Sequence, residues 1–295
     1  MRKIISVLTL LCVLVPASAQ SLGFLLASGD AASSGMANAS IATASSAYAP
    51  DQNMASAALS QQKMDAAAGY VIWSPSFSKN GLLSASGYYK PVEKLAIGVD
   101  WKHFIIPSYD IISAEGRKNG MFSPKEFTIG VGASYQIIKG LAAGVHLKFV
   151  SSVMADNAKG SAFGADISLQ YQWEGLRAGI AVDNLGSKVK YGNNSYAMPL
   201  RVRAGASYTI IGITTALEAQ LVNGSFAGSL GAQYAFKDML FVRAGYYLGS
   251  GKAPIPSHLT LGIGAKFAGF HVDLSYWTAS KVLGNTLCIG LGYAF

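Results

Sequence analysis

The chain has 295 residues, of which 51% are hydrophobic and only 13% are charged. Soluble domains carry about 25% charged residues, so this composition is typical of a membrane protein. The formal net charge of +8 is spread along the chain without a basic run, which argues against a nucleic-acid partner.

Residues 1–19 have the features of a removable export signal. Arg2 and Lys3 are basic, residues 4–15 are apolar, and residues 17–19 form a small-residue cleavage site. The apolar run is too short to anchor the chain, because a membrane-spanning helix needs about 20 residues. Removal of the signal also removes Cys12, so Cys288 would be the only cysteine and no intramolecular disulfide is expected.

No later apolar run is long enough to span a membrane as a helix, because polar residues or glycines interrupt each run within a few residues. Only helices and closed barrels satisfy all backbone N–H and C=O groups inside lipid. The sequence therefore predicts a transmembrane antiparallel β-barrel of the all-β class.

Apolar residues recur at every second position from about residue 65 onward, as expected for barrel strands that face lipid on one side. Residues 200–210 show why the orientation is fixed. Arg201 and Arg203 share one face, and each arginine turned toward lipid would cost about 2 to 4 kcal/mol. The pattern predicts about 14 strands, at 65–75, 81–90, 94–104, 125–137, 141–153, 162–173, 176–184, 200–210, 213–221, 226–236, 239–247, 257–268, 270–279 and 287–295.

Short connections alternate with longer ones along the chain, as in barrels with short periplasmic turns and longer external loops. The longer connections are predicted at 105–124, 154–161, 185–199, 248–256 and 280–286. This arrangement would place both ends of the chain on the periplasmic side.

Residues 20–64 are rich in Ala and Ser and lack strand alternation. Three structures are compatible with this pattern: a disordered leader, a helix in the periplasm, or a plug folded into the lumen. The predicted organisation is therefore an export signal at 1–19, a plug or leader at 20–64, and a barrel at 65–295.

Several motifs resemble the PorV and PorQ outer-membrane proteins of the type IX secretion system. Residues 34–43 (SGMANASIAT) resemble the family's A-x-G-M-G-x-A-G-V-A-T segment. Residues 123–129 and 162–167 resemble P-N-E-F-A-I and A-F-A-A-D-I. Residues 184–189 and 198–205 resemble N-L-G-S-K-I followed by L-P-x-x-L-R-L-G. The order agrees over residues 22–210, and the chain resembles a shortened PorV.

This resemblance implies a fourteen-stranded barrel of the fatty-acid-transporter-like superfamily in the outer membrane of a member of the Bacteroidota. It also implies a role in protein transport. In that family PorV is a shuttle that receives exported proteins at the translocon and delivers them to a surface attachment complex, while PorQ anchors a partner of that complex.

The sequence offers no signal for an enzyme, a metal site or a cofactor. His103, His146, His258 and His271 are dispersed without metal-ligand spacing, and we expect them at the rim or in the lumen. Cys288 alternates inward beside glycines, which favours a small packing residue over a nucleophile.

Charged residues of both signs fall on the inward face and predict a paired network in the lumen. Such a network would make the barrel rigid and hold a plug, or it would serve selectivity and ligand contact. Lys102 shares this face with the candidate residues Asp100, Lys148, Asp166, Arg177, Asp183, Arg201, Arg203, Glu218, Arg243, Lys266 and Asp273.

Three functional hypotheses follow. The first is an outer-membrane protein that docks or shuttles exported cargo, or anchors subunits of a surface complex. The second is a channel of the fatty-acid-transporter type with a hydrophobic ligand in the lumen, and the third is an accessory subunit of another envelope complex. The expected partners are outer-membrane lipid and other envelope or secretion proteins.

Overall fold

A closed antiparallel barrel of fourteen strands forms the body of the protein in this computed structural model. The structure describes residues 22–73, 79–250, 253, 255–278 and 285–295. The predicted export signal lies outside the described residues, as do parts of the predicted connections 248–256 and 280–286. The all-β class and the strand number predicted from the sequence are confirmed.

The described strands, in chain order, are β1 (Met64–Trp73), β2 (Asn80–Val92), β3 (Leu95–Ile105), β4 (Tyr109–Ile112), β5 (Lys118–Phe122), β6 (Lys125–Ile138), β7 (Leu141–Ala155), β8 (Ala158–Trp173), β9 (Leu176–Gly186), β10 (Val189–Tyr191), β11 (Asn194–Tyr196), β12 (Arg201–Ile210), β13 (Ile213–Val222), β14 (Ser225–Phe236), β15 (Leu240–Gly249), β16 (His258–Phe267), β17 (Phe270–Trp277) and β18 (Thr286–Ala294). The barrel order is β1-β18-β17-β16-β15-β14-β13-β12-β9-β8-β7-β6-β3-β2, and β4–β5 and β10–β11 form separate two-stranded hairpins.

Side chains alternate between lipid and the barrel interior along each strand. On β13, Leu217 is 61% exposed on the outer wall while its neighbour Glu218 is buried inside. On β12, Arg203 is buried on the inner side and Tyr208 is exposed on the outer side. Closure leaves no free strand edge, so the backbone groups of the wall pair with each other.

Tight turns join the strands at one end of the barrel. Both residues of 211–212, 237–238 and 268–269 have positive φ angles, which suits the right-handed twist of a two-residue hairpin. At this end the Phe295 carbonyl accepts hydrogen bonds from the N–H groups of Lys63 and Met64, at 2.7 and 2.9 Å. Short turns mark this end as periplasmic.

The opposite, external end carries longer hairpins, and here the sequence prediction needs correction. The predicted loops 105–124 and 185–199 contain the hairpins β4–β5 and β10–β11. The predicted loop 154–161 is wrong, because β7 and β8 continue pairing to Ala155 and Ala158 around a two-residue turn. Strands outside lipid need no apolar face, so the alternation that predicts them is absent.

The first described residues do not lie at the periplasmic end, where the sequence analysis placed both ends of the chain. Leu22 and Phe24 pack against Val150, Val189 and Met198, which lie toward the external end. The described chain therefore begins near the external mouth, passes through the lumen, and enters β1 at the periplasmic end.

The alternation predicts the effect of moving a charge into lipid. We expect Leu217→Arg, at the middle of β13, to lower the free energy of unfolding by about 2 to 4 kcal/mol. The matched control is Ile211→Arg in a periplasmic turn, where the side chain is 90% exposed and the cost should be about 0 to 1 kcal/mol. Reversible urea unfolding in lipid vesicles measures both, and equal losses would contradict the described orientation of β13.

Candidate functional site

Residues 22–63, here called the lumen segment, lie inside the barrel. They form a 3₁₀ turn (Gly23–Leu26) and the short helices Ala31–Ser34, Ala49–Gln52 and Met54–Ala58. Apolar side chains of the segment are buried against the wall, with Ile41 and Met54 at 1% and 2% exposure. A Cβ at Gly144 would lie 2.7 Å from the Met54 carbonyl carbon, so the glycine permits this close approach. The segment is therefore a plug.

The wall holds the backbone of the lumen segment through inward-facing polar side chains. Glu218 on β13 accepts hydrogen bonds from the backbone N–H groups of Ser40 and Ile41, both at 2.9 Å. On β12, Ser207 donates to the Ala42 carbonyl at 2.6 Å. These bonds satisfy backbone groups that have left water, and an unpaired buried group costs about 1 to 3 kcal/mol.

Other strands hold the segment from other directions. The Thr260 hydroxyl on β16 accepts from the Ala37 N–H and donates to the Gly35 carbonyl, both at 3.0 Å. On β8, the Gln170 side-chain oxygen accepts from the Asn53 side-chain amide at 2.7 Å. The segment is thus tied to several parts of the barrel circumference.

A buried cluster of charges crosses strands β3, β7 and β8. The His146 ring lies between two carboxylates, 2.5 Å from Asp100 and 2.9 Å from Asp166. Lys148 also contacts Asp166, at 2.8 Å. Ionised carboxylates only accept hydrogen bonds, so bonding to both requires a proton on each ring nitrogen of His146. The imidazolium and Lys148 then balance the two acids.

Gly130 on the intervening strand β6 makes this contact between β3 and β7 possible. A Cβ at that position would overlap His146 Nε2 and Asp100 Oδ1. The missing side chain lets the histidine reach across β6.

A second cluster lies on β9, β12 and β13. The Asp183 carboxylate accepts hydrogen bonds from Nε of both Arg201 and Arg203, at 2.8 and 2.7 Å. Arg203 also lies 3.6 Å from Glu218 and donates to the backbone carbonyl of Gln52 in the lumen segment. Removing one member of such a buried pair would leave an uncompensated charge, at a cost of about 3 to 5 kcal/mol.

Lys102 on β3 links the wall directly to the segment. Its ammonium group lies 2.6 Å from Asp51 and donates to the Ala27 carbonyl at 3.0 Å. A wall cation therefore fixes two separate parts of the plug.

The third cluster lies at the periplasmic end. Arg243 on β15 contacts Asp273 at 2.6 Å, and His271 lies 3.0 Å from Asp65 and 3.5 Å from Asp273. These groups border a cavity of about 340 Å³ beneath the lumen segment. Asp30 of the segment also lines this cavity, and burial, with Asp273 nearby, raises the pKa of its carboxyl above the usual range.

The structure brings most of the predicted charged residues into ion pairs, but not all. Arg177 donates a 3.4 Å hydrogen bond to Thr209, and Lys266 lines the periplasmic cavity. Neither forms an ion pair with a described residue. The paired residues are Asp100, Lys148, Asp166, Asp183, Arg201, Arg203, Glu218, Arg243 and Asp273.

Sequence reasoning missed four members of these clusters. His146 and His271 were expected at the rim or in the lumen but were not included in the charge network, and Asp51 and Asp65 were not considered. The sequence held no local signal for this pairing, because an uninterrupted two-residue hairpin at residues 156–157 would set His146 opposite Ile167. The irregularity between Val153 and Ala155 shifts the partner to Asp166.

The other two histidines and Cys288 have separate locations. His103 lies on the outer wall and stacks on Trp101, while His258 stacks between Tyr247 and Trp277 inside the external end. Cys288 is buried against Gly29 of the lumen segment.

Two kinds of feature are not found in the part of the chain that the structure describes. It has no group of three or more His, Cys, Asp or Glu side chains that could hold a metal ion. None of its helices combines the length and hydropathy needed to cross a membrane.

Solved structures of FadL-like outer-membrane proteins share the fold of this fourteen-stranded barrel. The toluene transporter TbuX of Ralstonia pickettii matches with a TM-score of 0.67 at 12% identity, covering 90% of this chain and 98% of that one. The monoaromatic hydrocarbon channel CymD matches with a TM-score of 0.65 at 17% identity, covering 92% of this chain and 97% of that one. A FadL homologue of Pseudomonas aeruginosa matches with a TM-score of 0.59 at 10% identity, covering 90% of this chain and 96% of that one.

The family model of the type IX secretion system protein PorV matches residues 16–222. The chain therefore belongs to the PorV family and is an outer-membrane protein. A sequence comparison with curated proteins gives no match. The family and the fold are those of transport and channel barrels rather than of enzymes.

The contact between Glu218 and the segment backbone predicts a conductance change. In Glu218→Gln the two charge-assisted bonds become neutral, which weakens the closed state by about 1 to 3 kcal/mol. The open fraction in planar lipid bilayers should then rise about 5- to 140-fold.

The matched control is Glu126→Gln, which removes another buried carboxylate that accepts a hydrogen bond from Ser152 of the wall. We expect this variant to conduct like the unmodified protein. Equal conductance of the two variants would contradict the role of Glu218 in holding the plug.

Proposed function

We propose that this protein docks exported proteins or surface-complex subunits at the external face of the outer membrane, as part of type IX secretion. The observation that carries the proposal is the filled lumen. A barrel whose interior is bonded to its own N-terminal segment is suited to present a surface rather than to pass a solute.

The lumen contacts support this function over a channel. Arg203 and Lys102 contact backbone carbonyls of the segment while they are themselves paired with acids. Displacing the segment would leave these buried charges with fewer partners, which is costly in a low-dielectric interior. The segment is thus a structural part of the protein rather than an easily displaced gate.

The external hairpins provide the docking surface. The β4–β5 hairpin leans on the β7–β8 hairpin, where the Tyr109 hydroxyl donates to the Met154 carbonyl at 2.9 Å. Beyond them, Val189 of β10 packs close to Gly160 of β8. The three hairpins therefore form one raised ridge on one side of the barrel.

Exposed apolar side chains on this ridge indicate a partner. Ile112 and Met121 on β4–β5 are 57% and 63% exposed, although they lie outside the lipid-facing wall. Apolar groups that gather in water commonly mark protein interaction sites. An exported protein or a subunit of a surface complex would cover them.

A hydrophobic-solute channel is the second candidate, favoured by the likeness to structures described as toluene transporters and hydrocarbon channels. Near the external mouth, Leu22, Phe24 and Val150 belong to a buried apolar cluster that such a solute would have to enter. Passage would require the lumen segment to move. This candidate predicts an apolar ligand in the purified protein and an uptake defect on deletion.

The two candidates respond differently to changes on the ridge. We expect Met121→Glu to reduce the recovery of secretion partners in affinity purification from native membranes by about tenfold, since an interface residue of this kind contributes more than about 1 kcal/mol. Replacement of residues 108–122 by a three-residue Gly-Ser linker should abolish recovery. Solute uptake should not change in either variant.

Ser250→Glu is the matched control, because it adds the same charge to an exposed position on the other side of the external rim. It should leave partner recovery unchanged. Purification of the chain alone from a wild-type cell, or full recovery from the hairpin deletion, would refute the docking function.

A further inference from the structure

The outer wall carries an aligned aromatic and basic surface on strands β3, β6, β7 and β8. Their pairing registers place outward-facing side chains in rows that cross all four strands. The row at the upper edge of the apolar wall consists of Trp101, Ile129, Phe149 and Phe163. Two of its aromatic rings, those of Phe149 and Phe163, are in contact, with their centroids 5.2 Å apart.

This row lies at the external boundary of the membrane. On β8, Trp173 marks the periplasmic boundary and lies ten positions along the strand from Phe163. At about 3.4 Å per residue and a strand tilt of about 40°, the two rings differ in height by about 26 Å. The lipid-facing band of such barrels is about 25 Å tall, with aromatic girdles at both edges.

The next two rows toward the outside combine polar and basic residues with the apolar residues Phe127, Ile105 and Val153. Ser151 and Ser161 face outward together in the first row above the girdle. In the second row Val153 pairs with Lys125 on one side and with Lys159 on the other. The two lysine backbones are therefore about 10 Å apart and, at the same strand tilt, about 10 Å above the aromatic row.

Both lysines lack a protein counter-charge. Lys125 and Lys159 are exposed, and neither forms an ion pair within the described part of the chain. Nearby Glu126 faces the lumen, where it bonds Ser152. Across the barrel, the described external ends of β12 to β18 place no Lys or Arg on the outer wall. The positive charge is thus confined to one side.

We propose that this surface binds a phosphorylated glycolipid of the outer leaflet, of the lipid A type. Its acyl chains would lie against the row that contains Phe149 and Phe163. Phosphates at headgroup height would meet Lys125 and Lys159, since a lysine binds phosphate as a point charge. The hydroxyls of Ser151 and Ser161 lie between these levels, where the sugar would be.

This lipid site is separate from the proposed docking surface, because its side chains point outward from the barrel wall and not toward the top of the ridge. The two are neighbours, since the Tyr109 hydroxyl of the ridge bonds Met154, the residue next to Val153. A lipid held here would pack beneath the ridge.

Binding can be measured on the full chain in detergent micelles by native mass spectrometry, with bis-phosphorylated lipid A as the probe. Each lysine contributes roughly 1 kcal/mol near a charged lipid, so Lys125→Ala/Lys159→Ala should weaken binding about 30-fold. The matched control, Lys94→Ala/Lys139→Ala, removes two exposed lysines from periplasmic turns. It should bind like the wild type.

Two further lipids distinguish the sources of binding. Lipid A without phosphates, and phosphatidylglycerol, should both bind weakly and without dependence on the two lysines. Equal lipid A affinity of the double variant and the wild type would overturn the proposal. Equal binding of dephosphorylated lipid A, or lysine-dependent binding of phosphatidylglycerol at the same affinity, would overturn it as well.

Discussion

The absence of water in the hydrocarbon core is the constraint on which the rest of the structure depends. A backbone that crosses lipid must pair every N–H and C=O group within the protein, and strands do so only by closing into a barrel. In a closed barrel, successive side chains of a strand point alternately to lipid and to the interior, so Leu217 meets lipid and Glu218 faces inward. The charged side chains of the strands are thereby mostly collected in one interior, where a buried charge needs a partner.

The lumen segment provides partners that the wall alone lacks. Glu218 bonds two backbone N–H groups of the segment, while Lys102 and Arg203 bond its carbonyls. Polar side chains of the wall and backbone groups of the segment thus form each other's hydrogen bonds. Without these bonds, both sets of buried groups would be left unpaired and away from water. The external face can consequently hold the hairpins β4–β5 and β10–β11 on a rigid base. This relation connects a fold shared with hydrocarbon channels to the docking role that we propose.

The sequence predicted the barrel wall well because lipid imposes a strict two-residue period. The two arginines at Arg201 and Arg203 sufficed to orient β12. The external hairpins were missed because strands in water carry no such period. The path of the segment was also unpredictable, since its short helices are set by wall contacts such as that between Met54 and Gly144. Partners of His146 depend on register across three strands, which local patterns do not encode.

Amide hydrogen exchange of the lumen segment, followed by mass spectrometry in micelles, tests the central claim most directly. If the wall holds the segment throughout, peptides that contain Ser40, Ile41 and Ala55 should exchange as slowly as the barrel strands β12 and β13. Exchange of these peptides as fast as the exposed tip of the β4–β5 hairpin would contradict the account, because the segment would then move freely in an open lumen.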